Sequence, residues 1–176
     1  MPEGKIGSAI YSPCNRYRYR LDRRYTESPK RILNAIMLNP STADADSDDP
    51  TVSRCQVRAR AWGFDALIVT NIFAWRATDP SELYSKTLRW RLRDDLMHFP
   101  VGSENDHHIR AAAEESDMIL CAWGNHGKLD NRSSVVRGIL RSVATDRLHY
   151  LKMTGENEPS HPLYLDYSLP PIPWTL

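Results

Sequence analysis

Amide and hydroxyl side chains follow the apolar runs of this sequence at points where they could bind a ligand. Asn39 comes directly after the apolar residues 32–38, and Asn71 lies within residues 66–73. A carboxamide offers a donor and an acceptor side by side, so it can recognise the edge of a nucleobase. Either amide could instead serve the backbone, since Asn before Pro commonly forms a turn. The loop after Asn39 adds three candidate ligand contacts, Pro40, Ser41 and Thr42.

A guanidinium and an imidazole lie in two later loops. Arg76 follows the run that contains Asn71. It could clamp a phosphate or carboxylate, or it could pair with Asp79 or another acidic loop residue. His161 lies beside a proline after the last apolar run, and it could be a plain surface residue. Because ligands bind at the carboxyl edge of open α/β sheets, we predict that Asn39, Asn71 and His161 converge on one cleft. Two residues that end the third apolar run are expected at the same edge, Trp123 and Gly124.

Acidic residues raise the question of a metal site. The run from Asp44 to Asp49 has carboxylates at positions one, three and five, as a calcium-binding loop requires. Its sixth position is Asp49 instead of Gly and its twelfth is Cys55 instead of Glu, so we interpret it as a helix cap and solvated loop. His107 and His108 are adjacent and cannot share one helix face. The sequence therefore predicts no metal site and no cofactor.

A basic segment precedes the first long apolar run. Its arginines alternate with Tyr17, Tyr19 and Leu21, a period of two that predicts a half-exposed strand with the arginines on one face. That face could be an edge strand kept soluble by charge. It could instead follow the phosphates of a nucleic acid, with help from a neighbouring helix. The candidate backbone contacts are Arg16, Arg18 and Arg20 on the strand, with Arg54 and Arg58 on the helix.

The elements that must position these residues alternate along the chain. Apolar runs predict strands at 32–38, 66–73, 118–123 and 149–153 after an N-terminal hairpin. Helices are predicted between them, beginning at Asp49-Pro50 and Asp79-Pro80 and covering 109–115 and 133–143. This order predicts an α/β fold, a three-layer α/β/α sandwich with a mainly parallel four-stranded central sheet plus an N-terminal β-hairpin. We expect residues 1–176 to form a single domain.

Composition excludes few classes of function. Hydrophobic residues make up 41% and charged residues 26% of the chain, values typical of a soluble globular protein. The net charge of +1 exerts no general attraction on nucleic acid or membrane, although charge is unevenly distributed along the chain. Three distant cysteines favour a reducing compartment, and we find no signal peptide and no apolar stretch near the roughly 20 residues of a membrane helix. We expect a cytoplasmic protein with no membrane partner; its oligomeric state is left open.

Several motifs in order resemble one bacterial family of domains of unknown function. The motifs are LNPSTAD at 38–44, DPT at 49–51, TNIFAWRATDP at 70–80, AWG at 122–124 and HPLYL at 161–165. The resemblance extends from about Ser8 to Trp174, which is nearly the whole chain.

The same order of motifs is more distantly similar to the uracil-DNA glycosylase superfamily. There, a loop of the form Gly-x-Asn/Asp-Pro holds the hydrolytic water, a mid-sheet Asn reads the base, and a late His-Pro loop contacts the base and the minor groove. The resemblance implies a uracil-DNA glycosylase-like fold, in which Asn39 positions a water, Asn71 binds the base and His161 stabilises charge on the leaving base. It also implies DNA or a nucleotide as the partner.

Departures from the superfamily pattern keep other functions open. Met37 replaces the first-loop Gly, Leu163 and Tyr164 replace the Ser-Pro after His-Pro, and three scattered cysteines cannot hold a four-thiolate iron–sulfur cluster. Our first hypothesis is hydrolysis of an N-glycosidic bond in a nucleic acid or nucleotide. The alternative is a non-catalytic module that binds a nucleobase or nucleic acid. A third hypothesis is a hydrolase with Ser41 as nucleophile, although no Gly-x-Ser-x-Gly elbow accompanies it.

Overall fold

Strands and helices alternate along the chain in the computed structural model, which describes residues 6–93 and 100–176. The strands are β1 (Ile6–Tyr11), β2 (Arg18–Arg24), β3 (Ile32–Met37), β4 (Ala66–Asn71), β5 (Met118–Cys121), β6 (Leu148–Tyr150) and β7 (Ile172–Pro173). The α-helices are α1 (Pro50–Ala61), α2 (Ser81–Arg93), α3 (Asn105–Glu115) and α4 (Arg132–Val143). In these ranges, 3-10 segments span Asn125–Asn131, which is kinked at Leu129 and Asp130, and Pro162–Tyr164. Within the described ranges, no helix combines the length and apolar character needed to cross a bilayer.

All seven strands join one mixed sheet in the order β1-β2-β4-β3-β5-β6-β7. The pairs β4–β3, β3–β5 and β5–β6 are parallel, whereas the hairpin pairs antiparallel with β4 and β7 pairs antiparallel with β6. The α/β class is confirmed. The expected four-stranded sheet was wrong, because the hairpin extends the sheet at one edge and β7 extends it at the other.

Side chains of the central strands are buried on both faces of the sheet. On β3, Leu33, Ala35 and Met37 pack in one apolar cluster with residues of α1, including Val52. Ile36, with the opposite orientation, packs in a second cluster with residues of α3 and α4. Burial on both faces explains why these strands appear in the sequence as continuous apolar runs.

The first helix begins at the carboxyl edge of the sheet, as its sequence predicts. The Asp49 carboxylate accepts a hydrogen bond of 2.8 Å from the backbone N–H of Val52, and Pro50 occupies the first helical position. This cap satisfies one of the helix's unpaired N–H groups. The helix ends at Ala61, ahead of Gly63, whose φ of 75° few other residues adopt without strain. The cap brings a carboxylate to the same edge as Asn39.

The hairpin contains a bulge that the alternating pattern does not reveal. Ile10 is paired with Arg20 and Tyr11 with Arg18, so Tyr19 is an additional residue on β2. A bulge inserts one residue into a strand and changes which side of the sheet the flanking side chains occupy. Arg18 and Arg20 therefore do not share a face.

The contacts of the three arginines follow from this bulge. The Arg18 guanidinium donates to the carbonyl oxygen of Ala43, which belongs to the cluster under α1. Arg20 forms an ion pair with Glu115 of α3, on the opposite side of the sheet. Arg16 lies ahead of β2 and is exposed. The prediction that these arginines form one face was wrong.

Candidate functional site

A cleft of about 670 Å³ opens at the carboxyl edge of the sheet. Loops that follow β3 and β5, the start of α1 and the loop before the last 3-10 helix form its walls. Its volume lies in the range of small-molecule sites, which is about 300–1,000 Å³. The residues predicted for the site that line this cleft are Asn39, Ser41, Thr42, Trp123, Gly124, His161 and Arg18.

Asn39 is held in one orientation by two backbone carbonyl groups. Its Nδ2 donates to the carbonyl oxygen of Ala77 at 2.7 Å and to that of Pro40 at 3.1 Å. Because a carbonyl oxygen can only accept, these contacts require the nitrogen of the amide on that side. Asn39 lines the cleft, and its Oδ1 accepts no hydrogen bond from the described part of the chain. This oxygen is therefore an acceptor with a defined orientation that a ligand or water could use. Pro40 supports this loop without lining the cleft, since its carbonyl also accepts from the N–H of Ala77.

His161 presents the complementary group, a hydrogen-bond donor. Its Nδ1 accepts a long hydrogen bond of 3.4 Å from the backbone N–H of Leu163. Burial lowers the pKa of the His161 imidazole, against the opposing charge of Asp49, so the neutral ring is favoured at neutral pH. A neutral ring that accepts at Nδ1 carries its proton on Nε2. Nε2–H is therefore the donor that His161 can offer to a ligand.

Two charged residues of the cleft were missed or given another role by sequence reasoning. Asp49, expected only as a helix cap, also lines the cleft and is 7% exposed. Arg18, expected on the surface, is 1% exposed, and its Nε has no hydrogen-bond partner in residues 6–93 and 100–176. Burial lowers the pKa of Arg18 to about 10, while the charge of Asp49 opposes this effect. The helix-start signal at Asp49-Pro50, placed beside a strand end, could have identified the carboxylate.

Asn71 does not line the cleft. It ends β4 at the same edge, but it is 1% exposed, and its backbone carbonyl accepts a hydrogen bond of 2.9 Å from Asn105 Nδ2. Its own Nδ2 has no partner within the described ranges. The predicted convergence is found for Asn39 and His161 and was wrong for Asn71, which is buried and does not line the cleft.

Arg76 lies outside the cleft, in an adjoining hollow. Its Nη1 donates to the carbonyl oxygen of Asn15 at 3.1 Å, and its guanidinium carbon lies 5.0 Å from the centre of the Tyr11 ring. The alternative partner, Asp79, accepts from the backbone N–H of Ser81 at the start of α2 instead. Arg76 is therefore not neutralised by Asp79.

Trp123 and Gly124 line the cleft, but their N–H groups bond to other parts of the protein. The Trp123 indole N–H donates to Glu158 at 2.7 Å, so that donor is already used. Gly124 has a φ of 72° and donates its N–H to the carbonyl oxygen of Pro159 at 2.7 Å. This backbone turn holds the end of β5 beside His161, whose Cβ would lie 3.7 Å from a Cβ added at Gly124.

Arg54 and Arg58 contact the protein's own backbone. Arg54 donates to the carbonyl oxygen of Leu165, and Arg58 donates to those of Leu165 and Asp166 at 2.8 and 3.1 Å. Both guanidinium groups also lie over the Tyr167 ring. These contacts tie the loop that follows His161 to α1. The two guanidinium groups, which were predicted to contact nucleic-acid phosphates, thus bind carbonyl groups of the protein itself.

An arginine holds the acidic run between β3 and α1. Arg23 is fully buried and donates to Asp48 at 2.8 Å and to the carbonyl oxygen of Ser47 at 2.9 Å. Asp44 accepts hydrogen bonds from the backbone and side chain of Ser47. In the described ranges, no group of three His, Cys, Asp or Glu side chains is arranged to hold a metal ion.

Ser41 lines the cleft without a catalytic base. Within the described part of the chain, its hydroxyl forms no hydrogen bond with His161 or with His126, the other histidine of the cleft. A serine nucleophile needs such a base within hydrogen-bond reach. The geometry gives the serine-hydrolase hypothesis no support.

Comparison with known proteins yields one match. A family model described as "Protein of unknown function (DUF1643)" matches residues 18–163. No curated protein and no solved structure matches the chain. The matched range contains Asn39, His161 and the loops that form the cleft.

Proposed function

The chain belongs to the DUF1643 family of proteins of unknown function, and we propose from its cleft that it hydrolyses an N-glycosidic bond in a nucleic acid or nucleotide. The observation that carries this proposal is the pairing of two oriented groups in one cleft. Asn39 offers an acceptor fixed by the Ala77 and Pro40 carbonyls, and His161 offers an Nε2–H donor. The uracil-DNA glycosylase-like fold is part of the same proposal.

The proposed reaction uses these groups on opposite ends of the bond that breaks. Asn39 Oδ1 accepts a hydrogen bond from a water and holds its oxygen toward the anomeric carbon. As the carbon–nitrogen bond breaks, its electron pair leaves with the base, and His161 Nε2–H donates to the charge that develops there. The water supplies the oxygen of the new sugar hydroxyl, and its released proton leaves to solvent. No protein nucleophile is needed, because the transition state resembles a carbocation.

Apolar and aromatic groups around the cleft suit a planar base. Met37, Leu38 and Leu163 line its walls. Tyr164 lines the cleft and is 92% exposed, which leaves its ring available for stacking. Stacking of a base on an aromatic ring contributes about 1–3 kcal/mol. Two residues that depart from the superfamily pattern, Leu163 and Tyr164, could thus contribute to base binding.

The same features support the alternative, a base-binding module without turnover. Asn71, the predicted base reader, lies outside the cleft, and Met37 brings a side chain where the superfamily pattern has Gly. Both observations fit a cleft that retains a bound base without aligning it for hydrolysis. Release of free base distinguishes the two functions.

The test is an assay of free-base release across a panel of deaminated, alkylated and oxidised bases, presented in single- and double-stranded DNA and as nucleotides. We expect release from at least one substrate, and we expect His161→Ala to lower the rate about 10²–10³-fold, as when a charge-stabilising donor is removed. His107→Ala, at an exposed histidine on α3, is the matched control and should retain the wild-type rate.

Base release, ligand binding and labelling by a serine-directed probe together separate the three hypotheses. Binding of a base-containing ligand without release across the panel would favour the binding module. Labelling of Ser41 by a serine-directed probe would favour the hydrolase with a serine nucleophile. Release that is unaffected by His161→Ala would contradict the proposed role of this histidine.

A further inference from the structure

A second hollow of about 500 Å³ adjoins the cleft. The two share one wall, formed by Ser41, Thr42, Ala77 and Thr78, which line both. Three of these four residues carry hydroxyl groups. A ligand bound in the cleft that reaches across this shared wall would place a second group in the hollow.

Two arginines line the hollow without a carboxylate partner. Arg76 and Arg16 are adjacent, since the backbone N–H of Arg76 donates to the carbonyl oxygen of Arg16 at 3.0 Å. Within residues 6–93 and 100–176, neither forms an ion pair. The Nε of Arg76 is buried and has no hydrogen-bond partner in those ranges. A buried donor without a partner is costly, at about 1–3 kcal/mol, unless a ligand or water satisfies it.

The position of the Arg76 side chain is fixed by neutral contacts. Nη1 is held by the Asn15 carbonyl oxygen, and the guanidinium lies over the Tyr11 ring. These contacts orient the group while leaving its positive charge uncompensated. Guanidinium groups bind phosphate through paired N–H donors, and hydroxyls add further donors to the same oxygens.

We propose that this hollow is a phosphate subsite, in which Arg76 and Arg16 bind the phosphate ester of a nucleotide whose base occupies the cleft. The assignment of the base rests on the proposed function, whereas phosphate binding in the hollow does not. The subsite explains how a chain with a net charge of only +1 could select a phosphorylated substrate. The phosphate could belong to a free nucleotide or to a nucleic-acid strand, since both present the same ester oxygens.

One carboxylate in the hollow provides an internal check. Glu82 lines it near the arginines and would repel a phosphate. Glu82→Gln removes this charge and should tighten phosphate binding. Arg76→Ala should weaken it about 10- to 100-fold, the range of a charge-assisted hydrogen bond.

The experiment is an NMR titration that follows arginine Nε–H resonances while inorganic phosphate is added to the full chain. We expect the Arg76 resonance to shift, at lower phosphate concentrations in Glu82→Gln and with weaker binding at higher salt. The matched control is Arg24→Ala. Arg24 is exposed and pairs with Ala66 at the opposite end of β4, so its loss should leave the titration unchanged. An Arg76 resonance that does not respond to phosphate would overturn the subsite.

A second set of titrations identifies the source of the phosphate. Each deoxynucleoside 5′-monophosphate is compared with its nucleoside and with a short single-stranded oligonucleotide. The subsite predicts that adding the phosphate tightens binding about 10- to 100-fold, and that Arg76→Ala abolishes this gain. Tighter binding of the oligonucleotide than of the monophosphate assigns a strand, and the reverse assigns a free nucleotide. Phosphate binding without base release would refute the glycosidase proposal alone. Base release by a protein whose Arg76 resonance does not respond to phosphate would refute the subsite alone.

Discussion

Asn39 and His161 both line the cleft, and backbone groups contact the side chain of each. The amide of Asn39 donates to two carbonyl groups, and Nδ1 of His161 accepts a long hydrogen bond from the N–H of Leu163. Sequence reasoning selected both residues because they stand beside prolines at predicted strand ends. It could not select Arg18 as a cleft residue, since the alternation of arginine and tyrosine predicts a surface strand and gives no sign of the bulge.

The orientation of His161 makes its titration measurable. Burial lowers its pKa, so we expect an NMR titration midpoint below about 6.5, the value of an unperturbed histidine. Protonation places a hydrogen on Nδ1, which then cannot accept from Leu163 N–H, so the Leu163 amide shift should follow the same midpoint. Because the unfolded chain binds this proton more readily, the contribution to stability is complete above about pH 6.5 and is lost as the pH falls.

Two comparisons test that titration. The amide of Leu165 bonds to the Pro162 carbonyl instead of an imidazole, so its shift should not follow the His161 midpoint. His161→Gln should remove the pH dependence of the Leu163 amide. A His161 midpoint at or above 6.5 would contradict the buried neutral imidazole on which the proposed role depends.

The elements around the cleft are joined by arginine contacts to backbone carbonyls. Arg58 of α1 holds the loop after His161 through Leu165 and Asp166, and Arg23 of β2 holds the loop between β3 and α1. The sequence predicted the helix and the strand, but it could not indicate which carbonyls each side chain would reach. These partners lie far away in the sequence. Because every residue carries a backbone carbonyl, the residue type does not indicate which carbonyl accepts the hydrogen bond.

The contact between Arg58 and the loop should control local opening. In Arg58→Met, the Asp166 carbonyl loses its charged donor, whereas the Leu165 carbonyl keeps the one from Arg54. We therefore expect the free energy of opening this loop to fall by about 1.5–3 kcal/mol. Hydrogen exchange of residues 163–168 should accelerate, while exchange in β3 and β4 should change little. Arg60→Met is the matched control, because Arg60 lies on the same helix but over the Tyr25 ring. Equal exchange in the two variants would show that Arg58 does not hold the loop.

Most of the molecule's architecture could be predicted because central strands buried on both faces leave a strong apolar signal. β3, β4 and β5 lie within the predicted runs, β6 begins one residue before its run, and the hairpin was also found. The missed strand, β7, contains only Ile172 and Pro173, and a two-residue strand with a proline has no readable period. The whole sheet matters to function because its parallel strands bring residues as distant in sequence as Asn39 and His161 to one edge.

The proposed role of Asn39 is tested most directly by measuring binding and single-turnover base release for Asn39→Ala on a substrate that the wild type cleaves. If Asn39 holds the attacking water, the variant should bind the substrate with nearly unchanged affinity while its rate of base release falls roughly 100-fold or more. Thermal unfolding of the variant controls for loss of the contacts with Ala77 and Pro40. A folded Asn39→Ala protein that releases base at the wild-type rate would show that Asn39 does not hold the attacking water.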